Sequence, residues 1–390
     1  MQIALSAEHR KLQAHFREYF RDIVTPEYEA EIAATEGGGP LYMAAVKRLG
    51  ADGWLGIGWP KEYGGQGRTP IEQFLFYDEA WRAGVLLPTL TVNSIAPSLM
   101  QYGTEEQKQY FLPKALRGEV HFCVGYTEPG AGTDLASLRT RAVRDGDQWV
   151  IDGNKLYTSQ AQYADYVWLA ARTNPEARKH EGISIFMIPT STPGFKMTPL
   201  PTMGDVTTNA TYFEDVRVPA NALIGPENGG WWLIVAQLNH ERVALIPVGP
   251  TERLYDETRD WAARTTLPNG QRVIDQPWVQ GNLARVRAGI EVLRLLNWRQ
   301  AFNMTRGEMN YAEASTVKVY GSEFYVQAYR WLMEVLGHAG ALKQGSPEAR
   351  IGGRLERMYR AILIMTFGAG TNEVQREIIA MGGLGMPKSR

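Results

Sequence analysis

The sequence is poor in cysteine, in net charge and in long apolar runs. Cys123 is the only cysteine among 390 residues, which excludes an internal disulfide and any metal site built from several cysteines. The formal net charge at pH 7 is -1, so the chain has no general attraction to nucleic acid or to anionic lipid. An anionic substrate must therefore be bound by local groups.

The chain also lacks several familiar segments and motifs. MQIALSAEHRKLQ reaches a charged residue at its eighth position, and no apolar run approaches the length of a membrane span. Together with the single cysteine, these features predict a cytoplasmic protein without a membrane span and without a nucleic-acid partner. His180, His240 and His338 have no partner at metal-ligand spacing, so no metal site is predicted. No P-loop ending in GK[ST] and no GxGxxG after a strand occurs, which disfavours a nucleotide held in the Walker or Rossmann manner.

The spacing of apolar residues predicts a mainly α fold with a central β domain. Residues 1–118 show helical spacing, residues 119–225 alternate with a period of two, and residues 226–390 return to helical spacing. In the first domain, Ser6 is a candidate helix cap. The helices predicted there span about 6–24, 40–50, 69–84, 90–102 and 104–117. Those predicted in the third domain span about 228–263, 276–304, 311–338 and 347–380 with a break near Gly368, which indicates an antiparallel four-helix bundle.

Short runs rich in Val, Ile, Trp and Tyr fill the middle domain. Asp145-Gly146 and Asp152-Gly153 separate such runs, and Asp-Gly pairs in this setting are typical of tight hairpin turns. Runs such as YVWLAART and ISIFMIPT continue the pattern to about residue 224. We therefore expect a small barrel or a pair of sheets.

Residues with a definite chemical use are concentrated in the segment GYTEPGAGTD and shortly after it. Its glycines surround Pro129, so the backbone is expected to turn sharply and to approach a flat ligand closely. These glycines are Gly125, Gly130 and Gly132. Three hydroxyls and one aromatic ring nearby suit a polar, planar heterocycle such as a flavin, and they belong to Thr127, Thr133, Ser159 and Tyr157. Glycine content alone is equally compatible with a surface loop between two strands.

Two motifs in order resemble those of a known family. TEPGAGTD at 127–134 and KLYTS at 155–159 resemble the paired flavin motifs of the acyl-CoA dehydrogenases, TEPxAGSD and KxWIT. GWPKEYGG resembles the family's GWPxxYGG, and the similarity extends to GAGTNEVQR near the C-terminus. The resemblance implies an N-terminal α domain, a middle β-barrel and a C-terminal four-helix bundle. It also implies FAD as cofactor and an acyl-CoA thioester as substrate.

The resemblance assigns cofactor contacts to individual residues. Thr127 and the run Tyr157, Thr158, Ser159 are expected along the flavin ring, with Ser159 near N5. Thr133 matches a serine near the cofactor, and the stretch holding Thr371 and Glu373 usually touches FAD. Tyr157 stands where Trp is usual, which is a mild change.

The base must be a carboxylate that takes the α-proton of the thioester, while a flavin accepts the β-hydrogen as hydride. A desolvated carboxylate suits this task because burial raises its pKa. Much of the family carries the base in a YEGT motif, but this sequence reads GAGT there and has Ala369 at the position of the glutamate. In one branch, which includes the isovaleryl-CoA and long-chain enzymes, GAGT is paired with a base in an ER pair. The matching stretch LNHERVALI places that role on Glu241, whose neighbours three and four residues away are uncharged. The resemblance further implies that the backbone N–H of Ala369 binds the thioester oxygen.

In the family, the adenylate half of FAD is usually bound by two motifs of a neighbouring subunit. Both motifs are altered in this sequence. The family's RxxFG is incomplete, because Arg264 is a candidate match but no Phe-Gly pair follows it. In the second motif, QxxGGxG, Glu334 replaces the glutamine. A carboxylate facing a pyrophosphate would be repelled. One interpretation is a heteromer, because LNHERVAL and the C-terminal stretch resemble the base-bearing subunit of actinobacterial enzymes acting on steroid side-chain CoA thioesters. The alternative is a homotetramer whose sequence has drifted.

The leading prediction is an FAD-dependent acyl-CoA dehydrogenase of fatty acid or steroid β-oxidation that forms a trans-2-enoyl-CoA. Glu241 is its base, and an electron-transferring flavoprotein is the expected acceptor. The acyl group is predicted to be bulky, with a steroid side chain as the specific candidate. Two alternatives stay open: a flavin oxidase or monooxygenase on the same fold, and a non-catalytic subunit of a heteromeric dehydrogenase.

Overall fold

The computed structural model describes residues 4–35, 37–244, 246–308 and 310–387, and of residues 239–244 it describes the backbone alone. No helix within these ranges is both long enough and apolar enough to cross a membrane.

Within the described residues, six α-helices precede the first strand. They are α1 (Ala7–Arg21), α2 (Pro26–Thr35), α3 (Pro40–Ala51), α4 (Pro70–Ala83), α5 (Ala96–Tyr102) and α6 (Glu105–Leu116). Ser6 caps α1 as predicted, since its hydroxyl accepts a hydrogen bond of 3.1 Å from the N–H of His9. The apolar stripe of α1 is buried through Phe16 and Phe20. The short helix α2 was not predicted, and the first half of the helix predicted at 90–102 is a π-helical segment, Leu90–Ile95.

The middle of the chain forms one mixed sheet of eight strands. The strands are β1 (Phe122–Gly125), β2 (Arg141–Asp145), β3 (Gln148–Lys155), β4 (Tyr166–Arg172), β5 (Ile183–Pro189), β6 (Phe195–Pro201), β7 (Thr207–Pro219) and β8 (Leu223–Ile224). Their order is β6-β7-β3-β2-β4-β5-β8, and β1 pairs with β4 in parallel. The TEPGAGTD segment therefore begins where β1 ends beside a central strand.

The two Asp-Gly pairs behave differently. Gly146, with φ 62°, lies in the turn between β2 and β3, so the predicted hairpin is confirmed there. Asp152-Gly153 is not a turn, and that prediction is wrong. Gly153 lies inside β3, where a register shift between Ile151 and Gly153 marks a β-bulge, and its φ of 149° lets the strand continue.

The last part of the chain returns to helices. They are α7 (Gly230–Ala244), α8 (Gly249–Arg264), α9 (Pro277–Thr305), α10 (Tyr311–Leu336), α11 (Arg354–Ile362) and α12 (Asn372–Ile378). The single helix predicted over 228–263 is wrong, because Pro247 separates α7 from α8. Proline lacks an N–H donor and disfavours helical backbone at the residue before it. The fold class, mainly α with a central β domain, is confirmed, while the domain boundaries 1–118, 119–225 and 226–390 remain predictions.

Helix α7 shares its core with the first two parts of the chain. Leu233 and Ile234 of α7 lie in the same buried cluster as Ile95 and Trp168. A separate buried cluster joins α8, α9 and α10. Helices α7 and α8 therefore belong to different hydrophobic cores, although they are consecutive in the chain.

Two glycines of α9 provide a test of how tightly this second core is packed. A Cβ added at Gly289 would lie 2.0 Å from Cε2 of Phe324, whereas one added at Gly281 would meet no atom within 4 Å. We expect Gly289→Ala to lower the free energy of unfolding by about 1–3 kcal/mol through overpacking. Gly281→Ala, the matched control, should raise it by about 0.5–1 kcal/mol, because alanine favours a helix interior. Chemical denaturation measures both, and a loss of stability in Gly281→Ala would contradict this packing.

Candidate active site

A buried ion pair joins the two motifs singled out in the sequence. Nζ of Lys155, the first residue of KLYTS, lies 2.7 Å from Oε1 of Glu128 in TEPGAGTD. The side chains are 0% and 7% exposed. The backbone N–H groups of Arg139 and Thr140 donate to the same carboxylate at 2.6 and 2.8 Å, and Lys155 also donates to the carbonyl oxygen of Tyr126 at 3.1 Å. These bonds satisfy both charges inside the protein.

The pair carries its charges at neutral pH. Burial would raise the pKa of Glu128, but the charge of Lys155 and the hydrogen bonds from Lys155 and Thr140 hold it below its ordinary value. Burial lowers the pKa of Lys155 to about 8, against the opposing attraction of Glu128. The lowered pKa of Glu128 keeps its carboxylate ionised near pH 7, and a pKa of about 8 still leaves Lys155 mostly protonated there.

The backbones of the two motifs are also joined. The N–H of Leu156 donates to the carbonyl oxygen of Thr127 at 2.8 Å. Glu128 and Ala131 exchange two backbone hydrogen bonds of 3.0 and 3.1 Å, which places Pro129 and Gly130 at the tip of a tight turn. Gly125 does not take part in this turn, contrary to the prediction, because it is the last residue of β1 and is packed against β4.

The loop surface fits a flat polar ligand. A Cβ added at Gly130 or at Gly132 would meet no atom within 4 Å, so the backbone there is open on the side-chain side. The side chain of Tyr157 is 63% exposed, and its φ of 59° lies in the left-handed region. The exposed ring of Tyr157 follows directly on the joined motifs, and a flavin would suit its open face.

The residues next to Tyr157 differ in what they can offer. Thr158 is fully buried, its hydroxyl bonds to that of Thr211 at 3.1 Å, and its N–H donates to the carbonyl oxygen of Asn209. The hydroxyl of Ser159 is within hydrogen-bond distance of that of Thr208, at 3.2 Å, on an exposed residue. Ser159 therefore has a hydroxyl available to a ligand, whereas Thr158 supports the loop from inside the sheet.

The GAGT segment is held by a buried lysine that the sequence reading missed. Lys318 of α10 is fully buried, and its Nζ donates to the carbonyl oxygen of Gly370 at 2.8 Å and to Oδ1 of Asn372 at 2.7 Å. The hydroxyl of Thr371 caps α12 by accepting the N–H of Val374. The segment between α11 and α12 thus has a fixed shape.

Ala369 has an unusual backbone within that segment. Its φ is 54°, which is uncommon for a residue with a Cβ, and its carbonyl oxygen accepts Nε2 of Gln375 at 3.3 Å. Among the described residues, the N–H of Ala369 donates no hydrogen bond. A strained residue with an available donor is typical of a site that binds an oxyanion.

The remaining predicted residues lie in different places. Thr133 is exposed in the TEPGAGTD loop. Glu373 is exposed in the first turn of α12, where hydrogen bonds from its own N–H and from the Thr371 side chain lower the pKa of its carboxyl. Arg264 ends α8, where its Nε donates to the carbonyl oxygen of Asp260 at 3.0 Å. The backbone of Glu241 belongs to α7, but its side chain lies outside the described residues.

The sequence motifs contain the two residues of the buried ion pair. Glu128 lies in TEPGAGTD and Lys155 in KLYTS, but the motifs alone did not predict that they pair. Lys318 stands between Val317 and Val319, so a charge within an apolar stretch was the available signal. The partners of Lys318 lie more than fifty residues away, at 370 and 372, and no local pattern indicates them.

Comparisons with known proteins agree on one family. Family models described as acyl-CoA dehydrogenase N-terminal, middle and C-terminal domains match residues 6–119, 123–216 and 228–384. Acyl-CoA dehydrogenase FadE26 of Mycobacterium tuberculosis is 52% identical over 398 residues, covering 100% of both chains. A chain of the ChsE4-ChsE5 complex from Mycobacterium tuberculosis is 52% identical, with a TM-score of 0.94 and 100% of both chains covered. The structure described as the Tcur3481-Tcur3483 steroid ACAD has a chain that is 48% identical, with a TM-score of 0.94 and the same coverage.

The buried pair should dominate the stability of this region. Lys155→Met leaves a buried carboxylate without its cation and should lower the free energy of unfolding by about 3–5 kcal/mol. The double variant Lys155→Met with Glu128→Gln should lose less free energy of unfolding than the sum of the two single variants. Thermal unfolding of the variants measures this. The exposed pair of Lys196 and Glu214, at 2.6 Å, provides the control, because Lys196→Met should change Tm little.

The same pair predicts a pH dependence. Because the folded-state pKa of Glu128 is lowered, its stabilisation is complete above the unfolded-state pKa of about 4.3 and is lost as the pH falls through the folded-state value. Lys155 stays protonated in both states over that range. The Tm of Glu128→Gln should therefore decrease less between neutral and acid pH than the Tm of the unsubstituted protein. An equal decrease in both proteins would contradict a charged carboxylate at Glu128.

Proposed function

This chain belongs to the acyl-CoA dehydrogenase family and is an oxidoreductase of that family, and from this we propose that it converts an acyl-CoA thioester to the trans-2-enoyl-CoA with Glu241 as base. The observation that carries the proposal is the position of α7. This helix follows the sheet and shares its core with β1 and β4. Its Gln237 bonds to Tyr126, the residue directly before TEPGAGTD.

The local surroundings of position 241 support a desolvated base. Gln237, one helical turn earlier, is fully buried, and positions four residues apart lie on the same face of an α-helix. A carboxylate on that face would lose part of its hydration, which would make it a stronger acceptor for the α-proton of a thioester. Glu241 would take that proton and hold it on a carboxylate oxygen.

A second group is needed to make the α-proton acidic. We infer that the N–H of Ala369 donates to the thioester oxygen and stabilises the negative charge that develops there. Lys318 would maintain the backbone shape around Ala369 through its bonds to Gly370 and Asn372. The base and the oxyanion donor would thus come from separate helices, α7 and the segment before α12.

We infer that FAD is the cofactor, because family membership and the open loop surface agree. Its flavin ring would lie along Thr127, Tyr157 and Ser159, with Thr158 supporting the loop. The further contacts proposed for FAD are Thr133, Thr371, Glu373 and, for the adenylate half, Arg264. When bound, FAD supplies the acceptor for the β-hydrogen, which leaves the substrate as hydride. The residues of this chain bind and orient it.

The substrate and the assembly are proposed from the relatives. One solved structure is described as a steroid ACAD, and both solved structures name two different subunits. We propose a bulky acyl group, with a steroid side chain as the specific candidate, and a heteromer in which a second subunit grips the adenylate. Glu334 supports this assembly, because it lies exposed at the end of α10 as a carboxylate, with Asn282 Nδ2 donating to it at 2.8 Å. An electron-transferring flavoprotein is the proposed acceptor.

Replacement of the base tests the proposal. Glu241→Gln keeps the size of the side chain and removes its basicity, so turnover should fall by about 10²- to 10⁴-fold while FAD content stays unchanged. Dye reduction with an acyl-CoA measures turnover in the complex as it copurifies. Glu106→Gln, on the exposed side of α6, is the matched control and should leave turnover unaltered. Unchanged turnover in Glu241→Gln would favour the non-catalytic subunit.

The fate of the electrons separates the dehydrogenase from an oxidase. In air, the purified protein should reduce an artificial electron-acceptor dye and release little hydrogen peroxide. Peroxide equal to the product formed would instead identify a flavin oxidase on this fold. The measurement needs only an acyl-CoA, the dye and a peroxide assay.

A further inference from the structure

A buried hydrogen-bonded bridge connects α7 to the TEPGAGTD segment. Gln237 of α7 is fully buried, and its Oε1 accepts the hydroxyl of Tyr126 at 3.1 Å. The same Tyr126 oxygen accepts Nε1 of Trp168 at 2.9 Å, while Nε2 of Gln237 donates to the hydroxyl of Ser94. The amide of Gln237 is therefore bonded at both ends, to the sheet and to the π-helical segment of the N-terminal part.

Tyr126 also belongs to the machinery around the ion pair. It directly precedes Thr127, and its carbonyl oxygen accepts Nζ of Lys155 at 3.1 Å. One residue thus bonds through its backbone to the lysine of KLYTS and through its ring to α7. A displacement of either motif would be transmitted to the helix through this residue.

A second set of bonds holds the chain just after α7. Oδ1 of Asp78 in α4 accepts the N–H groups of Val248 and Gly249 at 2.7 and 2.8 Å. Nδ2 of Asn297 in α9 donates to the carbonyl oxygen of Ile246 at 3.0 Å. Helix α7 is therefore bonded at Gln237, four residues before position 241, and the chain beyond its end is held at Ile246 and at the start of α8.

We propose that Tyr126 and Gln237 are positioning residues that set the rotation and height of α7 above the TEPGAGTD segment, and so place Glu241 at the reacting carbon. This inference rests on the proposed function. Apolar side chains of similar size would bury the same surface, but apolar contacts are non-directional and would not fix the helix about its axis. A hydrogen bond weakens steeply as its angle changes, so the bridge selects one orientation.

The chemistry explains why such a constraint matters. Proton transfer from carbon requires the reacting atoms to approach to about 3–3.5 Å, and a misplacement of about 1 Å can cost about 10²-fold in rate. The residues three and four positions from 241 are uncharged, so the sequence offers no ion pair at those spacings along the helix. The Tyr126–Gln237 bridge is a directional contact that would orient the helix itself.

Two substitutions remove the bridge and one provides the matched control. Tyr126→Phe deletes one hydroxyl, and Gln237→Met removes the amide while keeping the length of the side chain. Tyr329→Phe deletes an equally buried hydroxyl, which bonds to Thr251 at 3.2 Å in the other core. We expect both bridge variants to lower kcat by about 10- to 100-fold with KM and FAD content little changed, because the substrate still binds but the base is displaced. Tyr329→Phe should keep kcat near that of the unsubstituted protein.

A second readout requires neither FAD nor turnover. Hydrogen exchange followed by mass spectrometry reports the opening of α7 in the apoprotein. Loss of this buried hydrogen bond makes local opening of the helix easier, so peptides covering residues 230–244 should exchange about tenfold faster or more in both bridge variants. The same peptides should exchange at the normal rate in Tyr329→Phe.

The outcomes separate this inference from the proposed function. If Glu241→Gln abolishes turnover but both bridge variants keep normal kcat, or if exchange over 230–244 is unchanged in them, the bridge does not position the base and the inference is overturned alone. If Glu241→Gln keeps full turnover, the proposed function and this inference are overturned together. Lower kcat with faster exchange in both variants, and neither effect in the control, supports it.

Discussion

The contact between Lys155 and Glu128 is the constraint on which the rest of the site depends. Two charges are buried at 2.7 Å, and backbone N–H groups satisfy the remaining carboxylate positions. A buried pair gains its stability from such complete satisfaction, since an unpaired buried charge is very costly. The pair fixes the end of β3 against the turn after β1, and this fixes the open backbone at Gly130 and the exposed ring of Tyr157 in one place.

The other elements of the site are attached to this pair by different routes. Helix α7 shares a core with the sheet, and the bridge through Tyr126 ties it to the lysine itself. The GAGT segment is held by Lys318 in α10. The break at Pro247 makes this arrangement feasible, because it lets α7 belong to the sheet's core while α8 joins the helical bundle. The proposed base and oxyanion donor would then reach the α-carbon and the thioester oxygen from separate supports.

Local patterns predicted local structure well. The cap at Ser6 and the hairpin at Gly146 follow from propensities that act within a few residues. The same Asp-Gly pattern failed at Gly153, where pairing with neighbouring strands carried β3 through a bulge, and helical spacing hid the break at Pro247. Motif order predicted the family and so the overall fold. The partners of Lys318 and of Gln237 could not be predicted, because they depend on packing between elements far apart in sequence.

The central claim is that Glu241 and the N–H of Ala369 converge on the thioester beside the joined motifs. A crystal structure of the complex as it copurifies, with FAD and a non-reactive acyl-CoA analogue, tests this most directly. We expect a carboxylate oxygen of Glu241 at about 3–3.5 Å from the α-carbon, with the thioester oxygen within hydrogen-bond distance of the N–H of Ala369. A Glu241 side chain turned to solvent, or a thioester bound away from Tyr157 and Ala369, would contradict it.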